Sequence, residues 1–349
     1  MNKFLNIKLT TNDGSKNSDI YEFVGNYESE FNGCKFWINS DYKEADVWFV
    51  IEDLNSPVMN TNIERGRTIF LSSETSWYED YFTKKHKKAF LDQFGRIYSC
   101  YETGLKQVYD IPFLTWMINN NHIKTEGVKN SRDINYFMKL KHLEKTKKLS
   151  IICSTKSFTD GHKKRLNFVY KLKEYFQDDL DWFGNGINPI QSKWEGIAPY
   201  KYHIAIENKF NKYIMSEKLY DSYLGLSMPI YSGSSNVNKY FSDKSLIKID
   251  INNFEKSIEI IEKAFNENLY EKNCKYIVES KNKVCNELNL FYRLSVIAKE
   301  IDKNEEKGTK KKVTIRNKNY FEVRSKKIEN SKKLTINFFK KIFKRYVII

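Results

Sequence analysis

Carboxylates follow the short apolar runs of this sequence with unusual regularity. Glu52-Asp53 come after 47–51, Glu74 after 68–71, Glu102 after 96–100 and Glu207-Asn208 after 202–206. In an open parallel sheet, ligands gather at the carboxyl ends of the strands. There a carboxylate can take the proton of an attacking hydroxyl. One such residue reads as a solvated loop acid; four at one edge read as a site. The second half supplies cations: Arg165, in Gly161-His162-Lys163-Lys164-Arg165, and Lys218, in Ser216-Glu217-Lys218. Both groups open helical stretches, and a helix N-terminus adds partial positive charge suited to phosphate. On spacing alone the two cations read as a solvated helix face. Transfer of a sugar with inversion would need such a carboxylate as base, together with cations or backbone donors to hold the departing diphosphate.

The elements that must position these residues alternate between strand-like and helical. Apolar runs at 47–51, 68–71, 96–100, 149–153, 202–206, 228–231 and 245–249 predict buried strands. Helical stretches at 77–94, 163–176, 216–224 and 254–265 lie between them, and a long one from 273 to 300 closes the pattern. This is an α/β chain. The polar segment 141–148 reads as a linker, giving domains of 1–145 and 146–302, each of common size. A basic tail, 303–349, follows. Its residues Ile336, Phe338, Phe339, Ile342, Phe343 and Tyr346 recur at helical spacing beside lysines. Such a cationic amphipathic helix suits an anionic membrane surface.

The net charge of +15 invites a nucleic-acid reading. However, residues 303–349 carry 16 Lys plus Arg against 4 Glu, so the body of the chain is almost neutral. Nucleic-acid binding predicts basic residues spread through the folded body, and no nucleic-acid partner is expected. The 5 cysteines form no C-x-x-C pair, which points to buried thiols in a reducing compartment. No apolar run reaches the roughly 18–20 residues needed to cross a bilayer, and the N-terminus lacks a secretory pattern. The expectation is a cytoplasmic protein, peripheral on the inner membrane face through its tail. No bound cofactor or obligatory metal is expected. Asp179-Leu180-Asp181 superficially resembles a D-x-D metal motif but reads as a solvated turn, and His203 reads as a satisfied core histidine.

One block is more specific. Ala205-Ile206-Glu207-Asn208, eight residues, then Glu217-Lys218-Leu219 resembles the donor-binding signature of the α-1,3/4-fucosyltransferase family, glycosyltransferase family 10. The likeness continues through Leu226-Ser227-Met228-Pro229-Ile230-Tyr231-Ser232-Gly233. Arg165 through Asp181-Trp182-Phe183-Gly184-Asn185-Gly186 is similar to a second family stretch. The resemblance implies a GT-B fold, two Rossmann-like domains facing across a cleft, with GDP-fucose as donor substrate and a carbohydrate acceptor, such as a GlcNAc-containing surface oligosaccharide or lipopolysaccharide. It places Arg165 and Lys218 on the diphosphate, Glu217 on ribose or fucose hydroxyls, and Glu207, Asn208, Tyr213 and Ser216 around the donor. Thr68-Ile69-Phe70-Leu71-Ser72-Ser73-Glu74 sits where the family carries its base, so Glu74 takes that role, with Glu102 in reserve. The sequence departs from the family at Tyr213, displaced by one from the usual tyrosine position, where Ile214 stands. Another nucleotide-linked sugar is therefore the alternative donor.

Overall fold

The computed structural model describes residues 4–12, 15–16, 20–25, 29–73, 85–119, 132–306 and 308–322. Its strands are β1 (Leu5–Thr11), β2 (Glu30–Phe31), β3 (Cys34–Ile38), β4 (Val47–Ile51), β5 (Val58–Ile63), β6 (Thr68–Leu71), β7 (Arg96–Ser99), β8 (Val108–Tyr109), β9 (Lys147–Ile152), β10 (Leu180–Phe183), β11 (Tyr200–Ile206), β12 (Met228–Ser232), β13 (Ile247–Lys248) and β14 (Lys311–Arg316). They build two sheets, ordered β2-β3-β1-β4-β6-β7-β8 and β10-β9-β11-β12-β13, and a ribbon of β14 with β5. Apart from the antiparallel β2–β3 pair, both sheets are parallel. In each, the chain starts near the middle, steps to one side, then builds outward on the other. That order creates a switch point, between β1 and β4 in the first sheet and between β9 and β11 in the second. This is the pair of doubly wound domains that a GT-B fold requires.

Parallel strands covered on both faces need apolar residues at every position, and β4 meets this demand. Val47, Phe49 and Ile51 pack into one core layer while Trp48 and Val50 pack into the opposite one. Strand β1 is less regular because Lys8 is buried in it. Its ammonium donates to the carbonyls of Tyr42 and Asn60 and stands 5.0 Å from the Trp48 ring centroid. Burial lowers the Lys8 pKa to about 8.

The long helix expected over 273–300 is two helices, Leu269–Asn286 and Leu290–Asn304. Asn289 makes the break: its side-chain oxygen accepts from Phe291 N and caps the second helix. Its amide donates to the Phe23 carbonyl in the first domain. The Leu290–Asn304 helix then lays Leu290, Leu294, Ile297, Ala298 and Ile301 on the first sheet, not the second. The chain thus returns to its starting domain, and the division at 302 and 303 does not follow the packing. Residues 311–316, read from sequence as part of the basic tail, form β14. Val313 and Ile315 point into the core behind the first sheet, and alternate residues face solvent. The amphipathic pattern at 336–346 lies outside the described residues. Among the described residues, no helix is long and apolar enough to cross a membrane.

The segment read as a linker, 141–148, runs from the helix Ile134–Lys139, which already packs in the second core, into β9, and Lys145 is no free linker residue. Its ammonium donates to the carbonyls of Ala198 and Gly225, 2.6 Å each, and burial pulls its pKa to about 7.

Candidate active site

At the switch point of the second sheet lies a cavity of about 510 Å³. Its floor is the carboxyl ends of β9 and β11, represented by Cys153 and Asn208. Its walls are two helix N-termini, and a glycine makes the approach of the first one possible. The helix Asp160–Phe176, capped by Thr159, comes so close to β11 that a Cβ on Gly161 would stand 1.8 Å from the Asn208 carbonyl oxygen. We therefore expect Gly161→Ala to displace this helix end, costing roughly 1–3 kcal/mol as overpacking does. Thermal melting checks this, and an unchanged melting temperature would remove the constraint.

From that helix Arg165 reaches the cavity. It is only 7 % exposed, and its Nε has no hydrogen-bond partner among the described residues. His162, one turn earlier, accepts or donates at Nδ1 to the Thr159 hydroxyl at 2.6 Å. Burial, then Arg165, Lys218 and Lys156, lower its pKa, so it lines the cavity as a neutral imidazole.

The second wall is the helix Glu217–Leu224, whose N-cap is Ser216. Glu207, 2 % exposed, grips that cap: Ser216 N and Ser216 Oγ each donate to its carboxylate at 2.7 Å. Glu207 therefore fixes the helix start from behind. Lys218 Nζ lies 3.2 Å from Glu217 Oε1, 3.1 Å from Ser216 Oγ and 3.7 Å from Glu207 Oε2. A second lysine, Lys193, stands 2.9 Å from Asp221 and 3.7 Å from Glu217. The sequence spacing explains the bridge, since Glu217 and Asp221 are four apart and share a helix face. Asp221 in turn accepts from Met117 N at 2.8 Å, tying the network to the segment that crosses between domains.

These charges are tuned by one another. Burial raises the Glu217 pKa, but Lys218 and Lys193 outweigh it and bring it to about 2. Burial opposes charge on Lys218, and Glu217 with Glu207 more than compensate, holding it above its usual value. Glu207 and Asp221 are raised, chiefly by burial. His203 also touches the cavity, from inside β11. Its Nδ1 is 2.8 Å from Ser150 Oγ, which itself donates to the Gly196 carbonyl. The ring therefore carries its proton on Nδ1, and burial lowers its pKa to about 3. It is a satisfied core histidine that forms part of the floor.

Residues 143–313 match the family model for the C-terminal domain of glycosyltransferase family 10 (fucosyltransferase). The chain carries a glycosyltransferase family 10 domain. A stretch of 73 residues, 21 % of the chain, is 34 % identical to the α-(1,3)-fucosyltransferase FucT of Helicobacter pylori and spans 15 % of that relative's length. Two crystal structures of an α1,3-fucosyltransferase, one with GDP, share the fold. Each has a TM-score of 0.50, identities are 14 % and 15 %, and the match covers 87 % of this chain and 91 % of those chains. The whole chain therefore has the GT-B architecture of these transferases.

Within the family 10 domain, the structure gathers Arg165, Asn208, Glu217 and Lys218 at the cavity, with Glu207 and Ser216 directly behind. Tyr213 is elsewhere. Its ring stacks on Tyr109 of the first domain, centroids 5.3 Å apart and planes within 17°. Lys193, His162 and Asp221 were not anticipated; only Asp221 had a signal, its spacing from Glu217. On the first sheet, Glu74 lies outside the described residues. The reserve base Glu102 is exposed and accepts from Tyr109 OH and Gly104 N. Asp181, of the D-x-D triplet, is bonded to Lys147 and the Tyr200 hydroxyl.

A second cavity, about 650 Å³, opens at the switch point of the first sheet. Thr11, Glu52 and Ser73, at the ends of β1, β4 and β6, line it, as do Glu22 and Trp116. Met117 lines both cavities, so the two sheet edges address one shared region.

Proposed function

We propose that this protein is an inverting fucosyltransferase that moves fucose from GDP-fucose to a hydroxyl of a GlcNAc-containing glycan. The observation that carries this reading is Arg165, a buried guanidinium turned into the second-sheet cavity without a carboxylate partner among the described residues. Beside it are Lys218 and two helix N-termini. A buried, uncompensated cation is costly, and a diphosphate is the ligand that repays it. The 510 Å³ cavity is of the size small ligands occupy.

In this reading Arg165 and Lys218 bind the GDP diphosphate and stabilise the negative charge that grows on it. Asn208 and Glu217 contact the donor's hydroxyls. The acceptor enters by the first-sheet cavity, and its hydroxyl oxygen attacks the anomeric carbon of fucose from the face opposite GDP. The new C–O bond forms as the bond to the β-phosphate oxygen breaks. The hydroxyl proton passes to Glu74 and GDP leaves. Glu74→Gln should therefore lose at least a hundredfold in transfer, the range for a general base, while GDP-fucose binds with unchanged affinity. Radiolabelled transfer to a GlcNAc-terminated oligosaccharide, beside a GDP-fucose titration, tests this; full turnover by the variant removes Glu74 from the role.

The position of Tyr213 favours one alternative. A tyrosine engaged with Tyr109 is not available to a donor sugar in the cavity, which supports another nucleotide-linked sugar as donor on the same scaffold. A peripheral membrane role for the tail rests on its sequence pattern alone.

A further inference from the structure

Glu52 concentrates several features that each cost free energy. It follows β4 directly, at the switch point of the first sheet, and its backbone is left-handed, at φ +63°. Only glycine visits that region without strain, and residues held there cluster at ligand sites. The residue is 2 % exposed, yet it forms part of the 650 Å³ cavity wall. Ser73 N donates to Oε1 at 2.7 Å, and Lys318 Nζ stands 3.3 Å from Oε2. Lys318 is itself 5 % exposed. It belongs to the chain that follows β14 and is anchored there by Lys318 N donating to Asp53 Oδ1 at 3.0 Å. A buried ion pair is a poor way to stabilise a fold, since apolar residues of similar size serve as well or better. A strained backbone beneath it adds to the expense.

The cavity that Glu52 lines has the composition of a saccharide site. Phe23 and Trp116 meet at 4.8 Å between ring centroids and form part of its wall. Trp116 Nε1 also donates to Glu22 Oε1 at 3.2 Å. Aromatic surface with a few fixed polar groups is how pockets recognise small polar ligands. Glu52 lines this cavity while its carboxylate also accepts from Ser73 N and stands beside Lys318.

We propose that Glu52 is an acceptor-binding residue, accepting a hydrogen bond from a hydroxyl of the carbohydrate acceptor, and that Lys318 from the C-terminal return positions it. The assignment rests on the transferase reading above. The test is steady-state kinetics of the full chain with GDP-fucose and N-acetyllactosamine, on wild type, Glu52→Gln, Lys318→Met and Lys318→Arg. Glu52→Gln should raise the acceptor KM tenfold or more and leave the GDP-fucose KM within twofold. Lys318→Met should shift the acceptor KM in the same direction, and Lys318→Arg should restore most of it. Loss of stability with both KM values unmoved would make the pair purely structural and overturn the proposal. Wild type with no fucose transfer sinks the reading of the function. Active wild type with an unchanged acceptor KM in Glu52→Gln sinks this inference alone.

Discussion

Replacing Arg165 with alanine should lower kcat/KM for the donor by about 10²–10³, the loss typical of removing one group that stabilises transition-state charge, while the melting temperature holds or rises. The two halves of this result come from one observation. Arg165 is 7 % exposed, and no carboxylate stands within ion-pair distance of it among the described residues. Its buried neighbour Cys153 is a thiol whose pKa is raised, first of all by burial, so it offers no compensating charge. A buried cation without a counter-charge costs stability, and deleting it relieves that cost. In the proposed reading the same deletion removes the guanidinium that holds the diphosphate. Stopped-flow or steady-state kinetics beside a melting curve separate the two effects. A large drop in stability with normal kinetics would show that Arg165 serves the fold.

Lys218→Ala should behave differently, and the contrast is diagnostic. Lys218 also faces the cavity, but it holds Glu217 at 3.2 Å and Glu207 at 3.7 Å. Its loss leaves two buried carboxylates close together with Lys193 as their remaining cation. The cost should fall toward the low end of the roughly 3–5 kcal/mol for a broken buried pair, because 24 % of the Lys218 side chain is exposed. Donor affinity should fall tenfold or more as well. The pH dependence follows from Glu217, whose pKa of about 2 is below its ordinary 4.5. A depressed carboxylate contributes stability that is present above its unfolded pKa and lost as pH falls through the folded one. Without Lys218 the depression shrinks, so the variant should lose less stability than wild type as pH falls from about 5 to 2, and the gap between them should narrow in acid. Melting curves between about pH 2 and 6 would show it; a gap that stays constant, or normal donor affinity, would remove Lys218 from its place in the account.

Much of this site was legible because its chemistry sits at the ends of strands that read plainly. Strands β4, β6 and β11 are largely apolar, and Glu52, Ser73 and Asn208 just beyond them line the two cavities. The Glu207-to-Lys218 block was readable through its family resemblance, and the structure adds the contact behind it, Glu207 holding the Ser216 cap. Strand β1 was hidden by Lys8, whose charge is satisfied by carbonyls distant in sequence. Strand β14 was hidden inside a lysine-rich stretch in which only Val313 and Ile315 face inward. The break at Asn289 was equally silent, since its amide bonds to Phe23 across the domains. Lys193 could not be found from sequence at all; it matters only because the short helix Lys193–Ile197 brings it to Glu217 and Asp221.

The central claim is that the second-sheet cavity is built for a guanosine diphosphate sugar. Isothermal titration of the full chain with GDP-fucose, GDP, UDP and their sugars tests it most directly, with Arg165→Ala titrated in parallel. The account predicts saturable binding of GDP and GDP-fucose, little of uridine nucleotides, and loss of the guanosine signal in Arg165→Ala. Binding of a uridine or other nucleotide that depends on Arg165 would keep the diphosphate site and replace the donor. Binding of no nucleotide, or GDP binding indifferent to Arg165, would contradict the account.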